Sequence, residues 1–94
     1  MRLALDSLVV LDAIGRHGSF AAAAEALHRV PSAVTYAVQK LEEDLGVAIF
    51  DRSGHRAQLT EAGHELLREG RRLLAAAGEL EARVQRVATG YEVE

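Results

Sequence analysis

From Thr60 to Ala88 the chain has no proline, and an apolar residue returns every seven positions: Leu66, Leu73, Leu80 and Val87. Gly70, Ala77 and Val84 follow the first three at an interval of four. This is a heptad seam with small residues at its second position. With Thr60 as cap, a helix ending at Ala88 is ~28 residues long, or about 42 Å at 1.5 Å per residue. Residues 1–59 cannot wrap a helix of that length, so its far half needs another surface. Leu67 and Leu74 widen the stripe where the helix begins. Gly70 and Gly78 each cost about 1 kcal/mol of helix propensity relative to Ala, which close packing has to offset. The seam predicts a dimerisation helix. A helix that only connects to a further domain is the competing reading.

What precedes the long helix is one small domain, since 94 residues leave room for a single core. Hydrophobic residues make up 49% of the chain and charged residues 27%, too apolar a balance for disorder. No apolar run approaches the ~18 residues of a membrane span, so no membrane partner is expected. The N-terminus meets an acid at Asp6 and has no signal-peptide cleavage pattern. There is no cysteine, hence no disulfide framework and no thiolate metal site. These features predict a cytoplasmic protein, and one acting on DNA would be nucleoid-associated. His17, His28, His55 and His64 form no i,i+4 pair, so no metal is expected. Ser19, Ser32 and Ser53 belong to no nucleophile elbow, and the chain is too small for a substrate cleft, so the sequence does not read as an enzyme.

The first 59 residues divide at clear signals. Asp6 or Ser7 can cap a first helix ending at His17, with Leu8, Leu11 and Ile14 at helical spacing and Gly18 as the stop. Ser19 caps a second helix, 20–27, rich in alanine. After a break at 28–30, Pro31 opens a third helix, where the missing amide hydrogen loses nothing. That helix ends near Leu45, with Gly46 as a left-handed terminator. At 100° per residue Val34, Val38, Leu41 and Leu45 form one buried stripe, with Ser32, Tyr36 and Gln39 opposite and Thr35 and Lys40 flanking. Residues 47–51 and 56–59 read as two strands around a Ser53-Gly54 turn. So small a hairpin must lean on the helices. The fold expected is mainly α: a winged helix-turn-helix of three helices and a two-stranded wing over 1–59, a linker helix over 60–88, and a frayed tail over 89–94.

A helix-turn-helix with a polar outer face suits duplex DNA, because an α-helix fits the major groove and its N-terminal half meets base edges. The net charge of −3 argues otherwise, but its distribution does not. Residues 26–41 carry Arg29 and Lys40, residues 52–60 carry Arg52 and Arg56, and neither window contains an acid. The local field governs phosphate binding, not the sum. Thr35 and Gln39 can hydrogen-bond base edges, and Tyr36 can pack on a thymine methyl or reach a phosphate. Arg29, Lys40 and Arg52 suit phosphate; Arg56 at the wing tip suits phosphate or the minor groove. Ser19, Pro31 and Ser32, at the starts of the second and third helices, complete the candidate contacts. Leu66, Leu73, Ala77, Leu80, Val84 and Val87 are the candidate dimer contacts. Winged helices also serve as protein-binding modules, and such a module assembled through the long helix is the alternative function.

Three stretches resemble the N-terminal domain of LysR-type transcriptional regulators. They are Gly18-Ser19-Phe20 ahead of Ala23-Ala24 and Leu27; Leu41-Glu42-Glu43-Asp44-Leu45-Gly46 followed by Ile49-Phe50-Asp51-Arg52; and Leu59-Thr60-Glu61-Ala62-Gly63. The resemblance implies bacterial transcriptional control, with a homodimer formed by antiparallel linker helices on an inverted-repeat operator, or a tetramer in a full-length protein. It also implies a longer chain whose larger part binds a small-molecule effector. The sequence at hand then reads as the DNA-binding part alone, with no cofactor of its own. The acidic run Glu42–Asp44 is a trait of the resemblance. Where the family usually has Ser-Gln-Pro-Ala, the aligned residues are Val30, Pro31, Ser32 and Ala33, so the first three positions depart. Thr35 keeps the hydroxyl of a family serine, and Tyr36 replaces a frequent arginine.

Overall fold

The computed structural model describes residues 2–93, with side-chain surroundings given through residue 90. The element order is α1 (Leu5–His17), α2 (Phe20–Leu27), α3 (Pro31–Leu45), β1 (Phe50–Asp51), β2 (Gln58–Leu59) and α4 (Glu61–Val93). The first three helices enclose one core, and α1 also lies against the start of α4. Leu8, Val10, Leu11, Val34, Val38, Leu41 and Ile49 are fully buried within that core. The molecule is elongated, 60 Å by 27 Å by 18 Å, because α4 runs on past the core.

Helix ends follow the expected punctuation at four places. The Ser19 hydroxyl accepts from the Ala22 amide at 3.0 Å and caps α2. Gly18 and Gly46 both take the left-handed conformation that ends α1 and α3. Thr60 Oγ1 accepts from the Gly63 amide at 3.0 Å and so caps α4. Its hydroxyl also donates to the Ala48 carbonyl at 2.7 Å, which ties the cap to the segment before the wing.

Four expectations need correction. Neither Asp6 nor Ser7 caps α1: the cap position is Ala4, with no side-chain hydrogen bond. Ser7 is buried, and Asp6 turns instead to Arg29. Leu45 is 42% exposed, so the buried stripe of α3 is Val34, Ala37, Val38 and Leu41. Leu45 is the last residue of α3, one turn beyond Leu41, where the helix ends at the left-handed Gly46. The wing strands are two residues each, paired Phe50 with Leu59 and Asp51 with Gln58, and not 47–51 with 56–59. The backbone before β1 is already engaged, which is why the ladder is short. The Glu42 carboxylate accepts from the amides of Ile49 at 2.8 Å and Phe50 at 3.3 Å, and the Ile49 carbonyl accepts from the Thr60 amide at 3.0 Å. Finally, α4 does not stop at Ala88. The Thr89 hydroxyl bonds back to the Gln85 carbonyl at 2.8 Å, and the helix passes through Gly90 to Val93. Of the tail 89–94, Glu94 lies outside the described residues.

Candidate nucleic-acid interface

The break between α2 and α3 sets the angle at which α3 is presented. His28 there is left-handed, at φ 56° and ψ 44°, the only non-glycine residue so placed among those described. The Arg29 amide returns to the Ala24 carbonyl at 2.9 Å, closing the turn. With no glycine at this position, the sequence did not signal a left-handed residue.

Beyond the turn, Val34, Ala37, Val38 and Leu41 anchor α3. The opposite face projects Pro31, Ser32, Thr35, Tyr36, Gln39 and Lys40 outward, all exposed. Tyr36 is 65% exposed, a high value for an aromatic side chain with no role in the core. Val30 offers no side-chain cap and Pro31 has no amide hydrogen, while the Ala33 amide donates to the Val30 carbonyl at 3.0 Å.

Two surface hollows bring candidate residues together from separate elements. Ser19 and Arg56 line one open cleft with His17, so the start of α2 and the wing share a side of the molecule. Gln39 and Arg52 line another, between α3 and the base of the wing. The wing is seated by aromatic packing: Phe20 and Phe50 meet edge to face at 5.1 Å, and the Arg52 guanidinium lies 6.0 Å from the Phe20 ring centre.

The acid-free windows do not stay acid-free once folded. Asp6 on α1 holds Arg29, Asp44 lies 3.7 Å from Lys40, and Glu42 lies 3.7 Å from Arg52. Among the described residues Arg56 alone of the four makes no ion pair. Glu42 also receives two amides of the wing segment, so it holds the wing to α3. Acids in the last turn of a helix oppose its dipole, so the run Glu42–Asp44 calls for a physical account. Glu42 and Asp44 now have one, while Glu43 is exposed and nothing in the structure explains it.

The seam of α4 divides in two. Leu66, Leu67 and Leu74 pack on the domain's own core, and Gly70 is buried against Leu8. Leu66, expected at a dimer contact, is therefore already partly covered by its own domain. Asp12 on α1 fastens this stretch further, accepting from Arg71 at 2.6 Å and from Arg16 at 2.9 Å. Burial of Asp12 works against its ionised form, but these two arginines outweigh it and keep the carboxyl below the usual range. Farther out, Leu73, Leu80, Val84 and Val87 are exposed, and Ala77 is half-buried among its helix neighbours.

This arrangement defines a class: a winged helix-turn-helix carrying a long, partly uncovered helix. Residues 5–64 match the family described as bacterial regulatory helix-turn-helix protein, lysR family. The chain belongs to that family. It is 56% identical over 90 residues to the probable HTH-type transcriptional regulator YhaJ of Escherichia coli strain K12, covering 96% of this chain and 30% of that one. It is 47% identical over 94 residues to the uncharacterized HTH-type transcriptional regulator YeeY of the same organism, again covering 30% of it. The chain thus spans about a third of the length of the curated relatives it matches. Among solved structures it resembles the CbnR DNA-binding domain in complex with DNA, with TM-score 0.84, 37% identity, and 92% and 99% of the two chains covered. It also resembles the BenM DNA-binding domain on catB site 1 DNA, with TM-score 0.87, 26% identity, and 95% and 96% covered. Both curated relatives are named as transcriptional regulators.

Proposed function

We propose that this chain is the sequence-specific DNA-binding part of a bacterial transcriptional regulator, working as a homodimer on an inverted-repeat operator. The observation that carries it is the outer face of α3: exposed, polar or aromatic, free of acids over residues 31–41, and held rigidly by four buried side chains. DNA complexes solved for the related CbnR and BenM domains support the same use of this fold. Thr35, Tyr36 and Gln39 read base edges in the major groove. Ser19, Pro31, Ser32, Lys40, Arg52 and Arg56 border the backbone, and Lys40 and Arg52 exchange loose internal partners for phosphate. The seam of exposed Leu73, Leu80, Val84 and Val87 with half-buried Ala77 joins two copies. It spaces the recognition helices for half-sites about 34–36 Å apart, or a multiple. A longer protein would add an effector-binding part and possess the small-molecule response. Its place of work is the cytoplasm, on the nucleoid.

The deciding experiment titrates the chain onto random-sequence duplex DNA at several salt concentrations, with sedimentation alongside. Dimers whose affinity falls steeply with salt support the proposal. Dimers that ignore DNA at low salt put a protein-binding module in its place. Two finer outcomes follow. Tyr36→Ala or Gln39→Ala relaxes sequence preference by about 1–3 kcal/mol; equal losses on selected and random duplexes would remove both from base reading. Arg56→Ala weakens binding to all sequences and flattens the salt slope by about one, and an unchanged slope would take Arg56 off the phosphate list.

A further inference from the structure

Two helix starts in this domain lack side-chain caps. At α1 the cap position is Ala4, and at α3 it is Val30. Capping side chains ordinarily fix where a helix begins and how the chain enters it. Here one ion pair joins the two uncapped starts. Asp6 lies in the first turn of α1, and Arg29 lies just ahead of α3. The Arg29 guanidinium donates through Nη2 to Oδ1 of Asp6 at 2.7 Å and through Nη1 to Oδ2 at 2.9 Å. A planar fork meeting a carboxylate with two bonds fixes orientation as well as distance. The Arg29 amide is also bound to the Ala24 carbonyl, so one residue ties the end of α2, the start of α1 and the entrance of α3.

The other cations of the proposed interface are held differently. Lys40 and Arg52 face their acids at 3.7 Å, and Arg56 faces none among the described residues. Turning the fork of Arg29 toward a phosphate would give up two charge-assisted bonds to Asp6, whereas the others give up one loose contact or nothing. Hydrogen bonding by Arg29 also keeps the Asp6 carboxyl below the usual carboxylate range, so the pair is fully charged near neutral pH.

We infer that Arg29 is a positioning residue for the recognition helix: with Asp6 it clamps the entrance of α3 to the start of α1 and does not contact DNA phosphate. The role in recognition rests on the DNA-binding proposal; the clamp itself does not.

The test uses the whole chain with Asp6→Asn, Arg29→Met and both together. Amide hydrogen exchange over residues 32–36 reads the clamp without DNA. Each single variant should speed exchange about three- to tenfold, and the double variant should be no faster than either, as for two partners in one interaction. On DNA, each variant should lower preference for the duplex selected by the wild-type chain from a randomised pool, by a similar factor. The salt slope on random duplex should stay unchanged, because no phosphate contact is lost. Unchanged exchange would overturn the clamp, as would a double variant whose effects simply add. A slope lowered by about one in Arg29→Met, with tighter binding by Asp6→Asn, would make Arg29 a phosphate contact and Asp6 its competitor. A wild-type chain that binds no duplex at any salt concentration would end the DNA-binding proposal, while the exchange rates would still decide the clamp.

Discussion

Leu80→Glu should convert the chain from dimer to monomer. The stripe formed by Leu66, Gly70, Leu73, Ala77, Leu80, Val84 and Val87 runs along one side of α4 at heptad spacing. Its lower part packs on α1 and the core, and its upper part meets nothing in the same chain. Leu80 is 63% exposed and well beyond the domain, so its replacement cannot disturb the core. An uncovered apolar stripe of this length marks an interaction surface, and its heptad spacing suits a second helix. In a two-fold dimer every substitution is made twice. Each Glu removes about 1.5–3 kcal/mol of leucine burial and adds a carboxylate that must lose water. Together the two copies should weaken association by at least about a thousandfold, at 1.4 kcal/mol per tenfold. Sedimentation should then show monomers at micromolar concentration with thermal unfolding of the domain intact. DNA affinity should fall too, because two linked half-site contacts bind far more tightly than one. A surviving dimer would place the seam elsewhere, and the exposed Leu5 and Val9 of α1 would be the next candidates.

The same helix shows which parts of this structure were legible in the sequence. Periodicity revealed α1, α3 and the seam of α4 because each depends on residues three, four or seven apart, and alanine content revealed α2. Gly18, Ser19, Pro31, Gly46 and Thr60 marked helix ends through local backbone chemistry, and all five act as read. The family resemblance rested on short motifs, and the match over residues 5–64 agrees with it. What stayed hidden joins distant residues. Asp6 and Arg29 are separated by 23 positions, Asp12 and Arg71 by 59. Neither pair has a spacing rule to announce it. Charge windows counted along the chain missed that acids from outside return to Arg29 and acids from the end of α3 return to Lys40 and Arg52. The wing was overextended because alternation cannot show that Glu42 and Thr60 have already taken the backbone groups before β1. Gly63 was legible only as part of a motif; its physical reason is the position of the Ile49 carbonyl.

That position makes Gly63→Ala the substitution with the largest expected loss of stability. A Cβ at residue 63 would stand 2.2 Å from the Ile49 carbonyl oxygen and 2.9 Å from Leu59 Cδ2. A flexible side chain could move aside, but the oxygen is backbone and is pinned by the Thr60 amide. Relief therefore requires α4 to shift off the segment that carries Ile49, which is fully buried in the core. The added methyl should cost about 3 kcal/mol, at the upper end of ordinary overpacking. In a domain this small each kcal/mol moves the melting temperature by about 4–8 °C, so a drop of roughly 12–24 °C is expected. Two other glycines of α4 supply the comparison. At Gly70 the new Cβ would meet the end of Leu8 at 3.1 Å, where a few tenths of an ångström of movement suffice, and the loss should be smaller. At Gly78 it would meet nothing within 4 Å, and that position lies off the heptad stripe. Gly78→Ala should therefore raise stability by up to about 1 kcal/mol through helix propensity alone. Thermal unfolding followed by circular dichroism ranks the three. A Gly63→Ala protein that melts with the wild type would mean that the first turn of α4 does not sit against Ile49. The link from α3 through the wing to the long helix would then need another anchor.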